Sequence, residues 1–183
     1  MSTNLPDQSV IVSIVIPCYN HGQYIQEALD SIDAQKINYP IEIIIVDDGS
    51  SDTDTLQKLD DLKQLNYTII HQTNGGPGKA RNTGIEIAVG KYILPLDADN
   101  KLNPDYINKA VPLLEKKKAD IVYAAPVFFG DTSIKNRQFK VRPFDDLGLV
   151  TGNCADACAV FKKEVWDKNG GYDEAMPSYG FED

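Results

Sequence analysis

The sequence predicts an α/β protein, a doubly wound and mostly parallel sheet with helices on both faces. Three observations carry that expectation. Short β-branched runs alternate with helical apolar stripes in the order βαβαβαβα through the first two thirds of the chain, a pattern that builds parallel strands joined by crossover helices. Each of the first four runs ends in a polar or glycine-rich cluster, where turns belong. The 183 residues suffice for one domain with a buried core.

In order along the chain, the first strand is expected over residues 10–16, closed by Pro17. Asn20-His21-Gly22 then turns into a helix whose Ile25, Ala28, Leu29 and Ile32 stand at i, i+3, i+4 and i+7. A second strand, 41–46, follows the break at Pro40 and ends in the polar run 47–52. Leu56, Leu59, Leu62 and Leu65 give the next helix a stripe at three-residue steps. A third strand at 67–70 leads through Gln72, Thr73 and Asn74 into Gly75-Gly76-Pro77-Gly78, which feeds a helix over about 79–89. The fourth strand, a short apolar run from Tyr92 to Leu96, ends in Asp97-Ala98-Asp99-Asn100.

Asn103-Pro104 opens a helix with Ile107, Ala110, Val111 and Leu114 on one face, and Lys116, Lys117 and Lys118 where cations favour the helix dipole. Pro112 within it predicts a kink or an early end. Further strands are expected at 120–125 and 157–161, the second leading through 163–166 into the turn Asn169-Gly170-Gly171. Between them, 126–152 reads as an antiparallel excursion or a mobile loop. Residues 1–9 read as a flexible tail and 10–183 as a single domain.

With 18 basic and 27 acidic residues the formal charge is −9, which argues against nucleic acid and against adsorption to anionic membrane as partners. The apolar runs are too short to form a transmembrane segment, and the polar N-terminus lacks the order of a signal peptide, so the expected location is cytoplasmic. Three cysteines and two histidines offer no zinc spacing.

Asp97 and Asp99 carry the chemistry. In extended backbone, residues two apart point to the same side, so both carboxylates can address one hard divalent cation, whose remaining positions suit water and phosphate oxygens. Taken alone, an Asp-x-Asp is more often a turn whose carboxylate caps the next helix. The surroundings favour the metal: Pro17-Cys18-Tyr19-Asn20, Asp47-Asp48, Gln72 to Asn74 and Asp97 to Asn100 all fall at the carboxyl edge of a parallel sheet, where ligands bind. The glycine loop, followed by Lys79 and Arg81 at a helix start, suits a diphosphate. It matches neither Gly-x-Gly-x-x-Gly nor Gly-x-x-x-x-Gly-Lys-Ser/Thr.

Together, Ile14-Val15-Ile16-Pro17-Cys18-Tyr19-Asn20, Ile45-Val46-Asp47-Asp48-Gly49-Ser50, Lys79-Ala80-Arg81-Asn82-Thr83-Gly84, Leu96-Asp97-Ala98-Asp99 and Gly170-Gly171-Tyr172-Asp173-Glu174 followed by Glu182-Asp183 resemble the family 2 glycosyltransferases, inverting enzymes of GT-A fold. The resemblance implies a nucleotide-binding half over 10–100 and an acceptor half over 101–183. It implies that Asp48 accepts a hydrogen bond from the base, usually uracil, beside Pro17 and Tyr19, with Asn20, Asn74, Gly78 and Ala98 completing the substrate site. Arg81 would order that site. Asp97 and Asp99 would serve the ribose and a Mg2+ or Mn2+ ion, Asp99 being the firmer ligand. Asp183 would be the general base, with Glu182 second.

The implied reaction moves a sugar from a nucleoside diphosphate, a UDP-sugar by preference, to a saccharide or lipid-linked acceptor. Its setting would be cell-surface polysaccharide or glycoconjugate synthesis, in the cytoplasm or at the inner face of the membrane. Family members continue past the Glu-Asp pair, so the chain reads as incomplete at its C-terminal end. The alternatives are a catalytically incomplete sugar-nucleotide-binding module and a nucleotidyltransferase, although the glycine- and lysine-rich signature of the latter is missing after the first strand.

Overall fold

The computed structural model describes residues 9–130 and 157–175. Its strands are β1 (Val12–Cys18), β2 (Ile41–Asp47), β3 (Thr68–His71), β4 (Tyr92–Pro95), β5 (Ile121–Val122) and β6 (Val160–Lys162). Its helices are α1 (Gly22–Asp33), α2 (Thr53–Gln64), α3 (Pro77–Ile87), α4 (Tyr106–Glu115) and α5 (Lys163–Asn169). The described strands form one sheet in the order β3-β2-β1-β4-β6-β5. β1 pairs in parallel with β2 and β4, and β2 with β3, whereas β6 runs antiparallel to both β4 and β5. The sheet grows outward from β1 to β3 and then returns to place β4 on the other side of β1. That reversal opens a crevice between the carboxyl ends of β1 and β4.

Alternation along β1 divides the core between two faces. Val12, Ile14, Ile16 and Cys18 pack with Ile25 and Leu29 of α1, Leu59 of α2 and Val111 of α4. Val15 faces the other way, with Ile44, Val46, Ile93 and Phe161 against Ala80 and Ile85 of α3. Each fully buried Ile or Leu stabilises this sandwich by about 1.5–3 kcal/mol. Gly84 lets α3 press against the sheet, since a Cβ there would overlap Val15 Cγ1 and crowd Val46 Cγ2. The close approach sets Arg81, nearly a turn earlier in α3, at the rim of the sheet.

Several elements differ from expectation, each for a local reason. Pro17 does not close β1; the strand continues to Cys18 in register with Asp47, since one absent donor at a strand end is tolerated. In α2 the buried residues are Thr55, Leu59 and Leu62, while Leu56 and Leu65 are 37% and 69% exposed. Three-residue steps turn a helix by about 300°, so such a stripe winds around the axis, whereas Thr55, Leu59 and Leu62 follow the i, i+4, i+7 rule. α3 begins at Pro77, whose missing N–H falls at a position that needs none. α4 runs through Pro112 to Glu115, with Lys116 N donating to Pro112 O at 3.2 Å.

β5 is two residues long, not six, and the chain after β6 is helical. No residue of α5 is fully buried, so it carries no apolar stripe that a sequence pattern would register; it ends on Gly170 at φ 78°. Among the described residues, no helix is long and apolar enough to cross a membrane.

Candidate functional site

At the β1/β4 switch point lies a cavity of about 490 Å³. β1 and its following turn contribute Pro17 and Tyr19, β2 leads to Asp48, and the loop before α3 brings Asn74. α3 adds Arg81, and the turn after β4 supplies Asp97, Ala98 and Asp99. A second cavity, of about 530 Å³, lies against α1 and α4 and is lined by no carboxylate.

Asp48 is 3% exposed and held by three donors. Gln72 Nε2 and Gly75 N donate to Oδ1 at 2.7 and 2.9 Å, and Gly76 N donates to Oδ2 at 2.8 Å. A carboxylate offers about four lone-pair sites, so one acceptor site on Oδ2 is left over from these bonds. The Cys18 thiol is pushed up to about 11 by burial, with a smaller push from Asp47, and stays protonated beneath the site.

Asp47 points away from the crevice, taking Ser50 N on Oδ1 and His71 Nδ1 on Oδ2, both at 2.9 Å. Burial pushes its carboxyl up, but the hydrogen bonds from Ser50 and His71 outweigh burial and hold it below the ordinary 3.8. A depressed carboxyl contributes stability that is present above the ordinary value and lost as pH falls through the depressed one. Asp47→Asn should therefore lower the urea midpoint at pH 7, by about 1 kcal/mol of stability, and differ less from wild type near pH 3. A gap of equal size at both pH values would contradict this.

Arg81 is 3% exposed, donates from Nη2 to Asp97 Oδ1 at 2.9 Å, and lies 5.6 Å from the centroid of the Tyr172 ring. The strand expected to carry both carboxylates stops short of them, since β4 ends at Pro95 and a turn spans Ala98 and Asp99. That turn is closed by Asn100 N to Asp97 O at 2.9 Å. Ala98 folds beneath it, 1% exposed, and both carboxylates line the crevice from either side of that alanine. Arg81 occupies one Asp97 oxygen; the other has Asn100 Nδ2 at 3.5 Å, the edge of hydrogen-bond range. With exposed Asp99, this set suits a hard cation that takes one or two protein carboxylates. Among the described residues no group of three or more His, Cys, Asp or Glu side chains makes a ready metal cage, so ligand oxygens and water would complete the shell.

Two expected site residues lie outside the crevice lining. Asn20, at φ 54°, turns its Oδ1 to Ser51 N and Asp52 N at 2.9 and 3.0 Å, tying the turn after β1 to the loop after β2. Gly78 faces Tyr172 Cβ and Asp173 O rather than the cavity. Glu182 and Asp183 fall outside the described residues, as do Cys154 and the basic residues Arg137, Lys140 and Arg142. Two neighbours were not among the expected site residues. His21 lines the crevice, edge-on to Tyr24, and its position directly after the Pro17-Cys18-Tyr19-Asn20 cluster was the available signal. Gln72 braces Asp48 from behind, which no sequence spacing indicates.

The family model for "Glycosyl transferase family 2" matches residues 13–170. Glycosyltransferase GlyG of Streptococcus pneumoniae is 36% identical over 118 residues, 62% of this chain and 38% of that protein. Putative glycosyltransferase EpsH of Bacillus subtilis is 42% identical over 96 residues, 52% of this chain and 28% of that one. Staphylococcus aureus TarS 1–349 in complex with UDP superposes with a TM-score of 0.69 at 22% identity, over 94% of this chain and 53% of that one. A Pyrobaculum calidifontis mannosyltransferase in complex with GDP-Man and Mn2+ gives 0.67 at 22% identity, over 95% and 51%. The chain thus spans about a third of these curated relatives and about half of the solved structures. The family match runs from β1 through α5, and the same elements raise Asp48, Arg81, Asp97 and Asp99 around one crevice on a GT-A type sheet: the chain belongs to glycosyl transferase family 2.

Proposed function

We propose that the chain is the donor-binding part of an inverting glycosyltransferase that transfers a sugar from a nucleoside diphosphate to an acceptor hydroxyl. The observation that carries the reading is the meeting of Asp48, Arg81, Asp97 and Asp99 on one crevice at the sheet's switch point. Asp48, with one acceptor site to spare, reads a base N–H while Pro17 and Tyr19 flank the ring. Asn74 and Ala98 close the same space. The N-terminus of α3 opens on the crevice through Gly76 and Pro77, and its positive dipole end favours the diphosphate.

Arg81 fixes Asp97 in one rotamer, so that its second oxygen and the Asp99 carboxylate keep their places before ligand arrives. A bound Mg2+ or Mn2+ would be held by Asp99 and that Asp97 oxygen, and would neutralise charge on the departing diphosphate. Asp183, with Glu182 as the second choice, takes the acceptor proton, a role worth roughly 10²–10⁴ in rate.

A UDP-sugar is the donor we favour, because one spare acceptor on Asp48 matches the single N–H of uracil's imide edge. Structural neighbours in complex with UDP and UDP-GlcNAc support this, while the GDP-Man complex keeps guanine in view. TarS is a poly(ribitol-phosphate) β-N-acetylglucosaminyltransferase, which supports a polymeric acceptor; the setting we favour is transfer to a saccharide or lipid-linked acceptor in cell-surface polysaccharide or glycoconjugate synthesis, in the cytoplasm or at the inner face of the membrane.

Titration calorimetry tests the reading. Mn2+ should tighten UDP binding to the wild type by about tenfold or more, near 1.4 kcal/mol, and should leave Asp99→Ala unaffected. Equal Mn2+ dependence in both proteins would remove Asp99 from the metal site.

A further inference from the structure

We propose that Gln72 sets nucleobase selectivity by saturating one oxygen of Asp48. The inference rests on the donor-nucleotide reading and concerns which bases the same crevice refuses. Gln72 stands behind Asp48, outside the cavity lining, anchored by its own N–H to Asp47 O at 2.9 Å. Its Nε2 reaches Asp48 Oδ1 at 2.7 Å, where Gly75 N already donates at 2.9 Å. Both acceptor sites of Oδ1 are then filled.

The amide orientation follows from charge. Rotating the Gln72 amide would set Oε1 against a carboxylate oxygen, acceptor against acceptor. Oε1 is instead turned into the protein, buried and with no hydrogen-bond partner among the described residues. A buried amide oxygen without a partner is costly, so the Asp48 contact outweighs that cost.

The two nucleobase classes meet this carboxylate differently. Uracil presents one N–H between two carbonyls and needs one acceptor, which Oδ2 retains. Guanine presents N1–H and its 2-amino group side by side, a pair that fits both oxygens of a free carboxylate. With Oδ1 filled, one of the two guanine donors enters the site unpaired. Hypoxanthine has the purine frame and N1–H but no 2-amino group, so comparing guanine with hypoxanthine isolates the second donor from ring size.

The experiment measures Kd for UDP, GDP and IDP in Mn2+, on the wild type and on Gln72→Met, which keeps the side-chain length and removes the donor. Wild type should bind UDP most tightly and IDP at least as well as GDP. In Gln72→Met, GDP should gain roughly tenfold over IDP as Oδ1 regains an acceptor site. The same GDP/IDP ratio in both proteins overturns the inference and leaves the donor reading intact. Should the variant not fold, wild type binding GDP tenfold more tightly than IDP overturns it alone. Wild type binding none of the three overturns the donor reading itself, and this inference with it.

Discussion

Arg81→Ala is expected to lower stability by about 3 kcal/mol and to weaken Mn2+-dependent UDP binding at the same time. The guanidinium is buried, whereas the Asp97 side chain is 34% exposed. Deleting one partner of a buried ion pair costs about 3–5 kcal/mol, and water at Asp97 places this pair at the low end. For a chain of this size, that corresponds to roughly 6–12 °C in Tm. The same deletion releases Asp97, whose free oxygen is positioned through the bond that Arg81 makes to the other. Arg81→Lys should recover only part of either effect. A lysine ammonium is a point donor without the flat face that lies 5.6 Å from the Tyr172 ring. A Tm shift within about 2 °C, with UDP affinity unchanged in Mn2+, would show that Arg81 braces neither the fold nor the site.

The parts of the fold legible in the sequence are those where one face alone decides burial. Ile25, Ala28, Leu29 and Ile32 in α1, and Ile107, Ala110, Val111 and Leu114 in α4, lie in the core as their spacing demands. The same logic failed in α2, where Thr55 displaced Leu56 from the buried stripe. Its Oγ1 accepts Gly22 N at 2.9 Å and donates to Asp52 at 2.6 Å, a polar link between α1 and α2 that outweighs the leucine's apolar area. Propensity and pattern see only the strand or helix at hand; this choice was made by a neighbouring helix.

The candidate site shows the same division. Sequence order brought Asp48, Arg81, Asp97 and Asp99 to one edge, because topology alone does that in a parallel sheet. What order does not reveal is side-chain direction. Asn20 sits in the right loop and spends its amide on the backbone of Ser51 and Asp52. Asp47 and Asp48 are adjacent and diverge, one to Ser50 and His71, the other to the crevice. The two carboxylates after β4 reach the cavity through a turn, a geometry in which the two-residue rule for strands has no force.

Asn82→Ala should cost roughly 2–4 kcal/mol while leaving the nucleotide crevice largely in place. The Asn82 amide fills its whole bonding capacity on α5 and the segment after it. Oδ1 accepts Trp166 Nε1 at 2.9 Å and Tyr172 N at 2.8 Å, while Nδ2 donates to Tyr172 O at 2.9 Å and Glu174 Oε1 at 3.0 Å. Alanine removes all four bonds and leaves two donors without their acceptor. Gly171, at φ 83°, fits beneath the amide with no room for a Cβ, which would lie 2.7 Å from Asn82 Oδ1, so Gly171→Ala should reproduce much of the loss. Trp166 is the one tryptophan in the chain, and its emission reports on the clamp directly. Its spectrum should shift to the red in both variants as the indole N–H turns to water. UDP affinity should change by less than about threefold, because Arg81 retains its bond to Asp97. An unshifted spectrum together with an unchanged Tm would mean that α3 does not hold this segment, and that the pairing of Arg81 with Asn82 in one motif has some other origin.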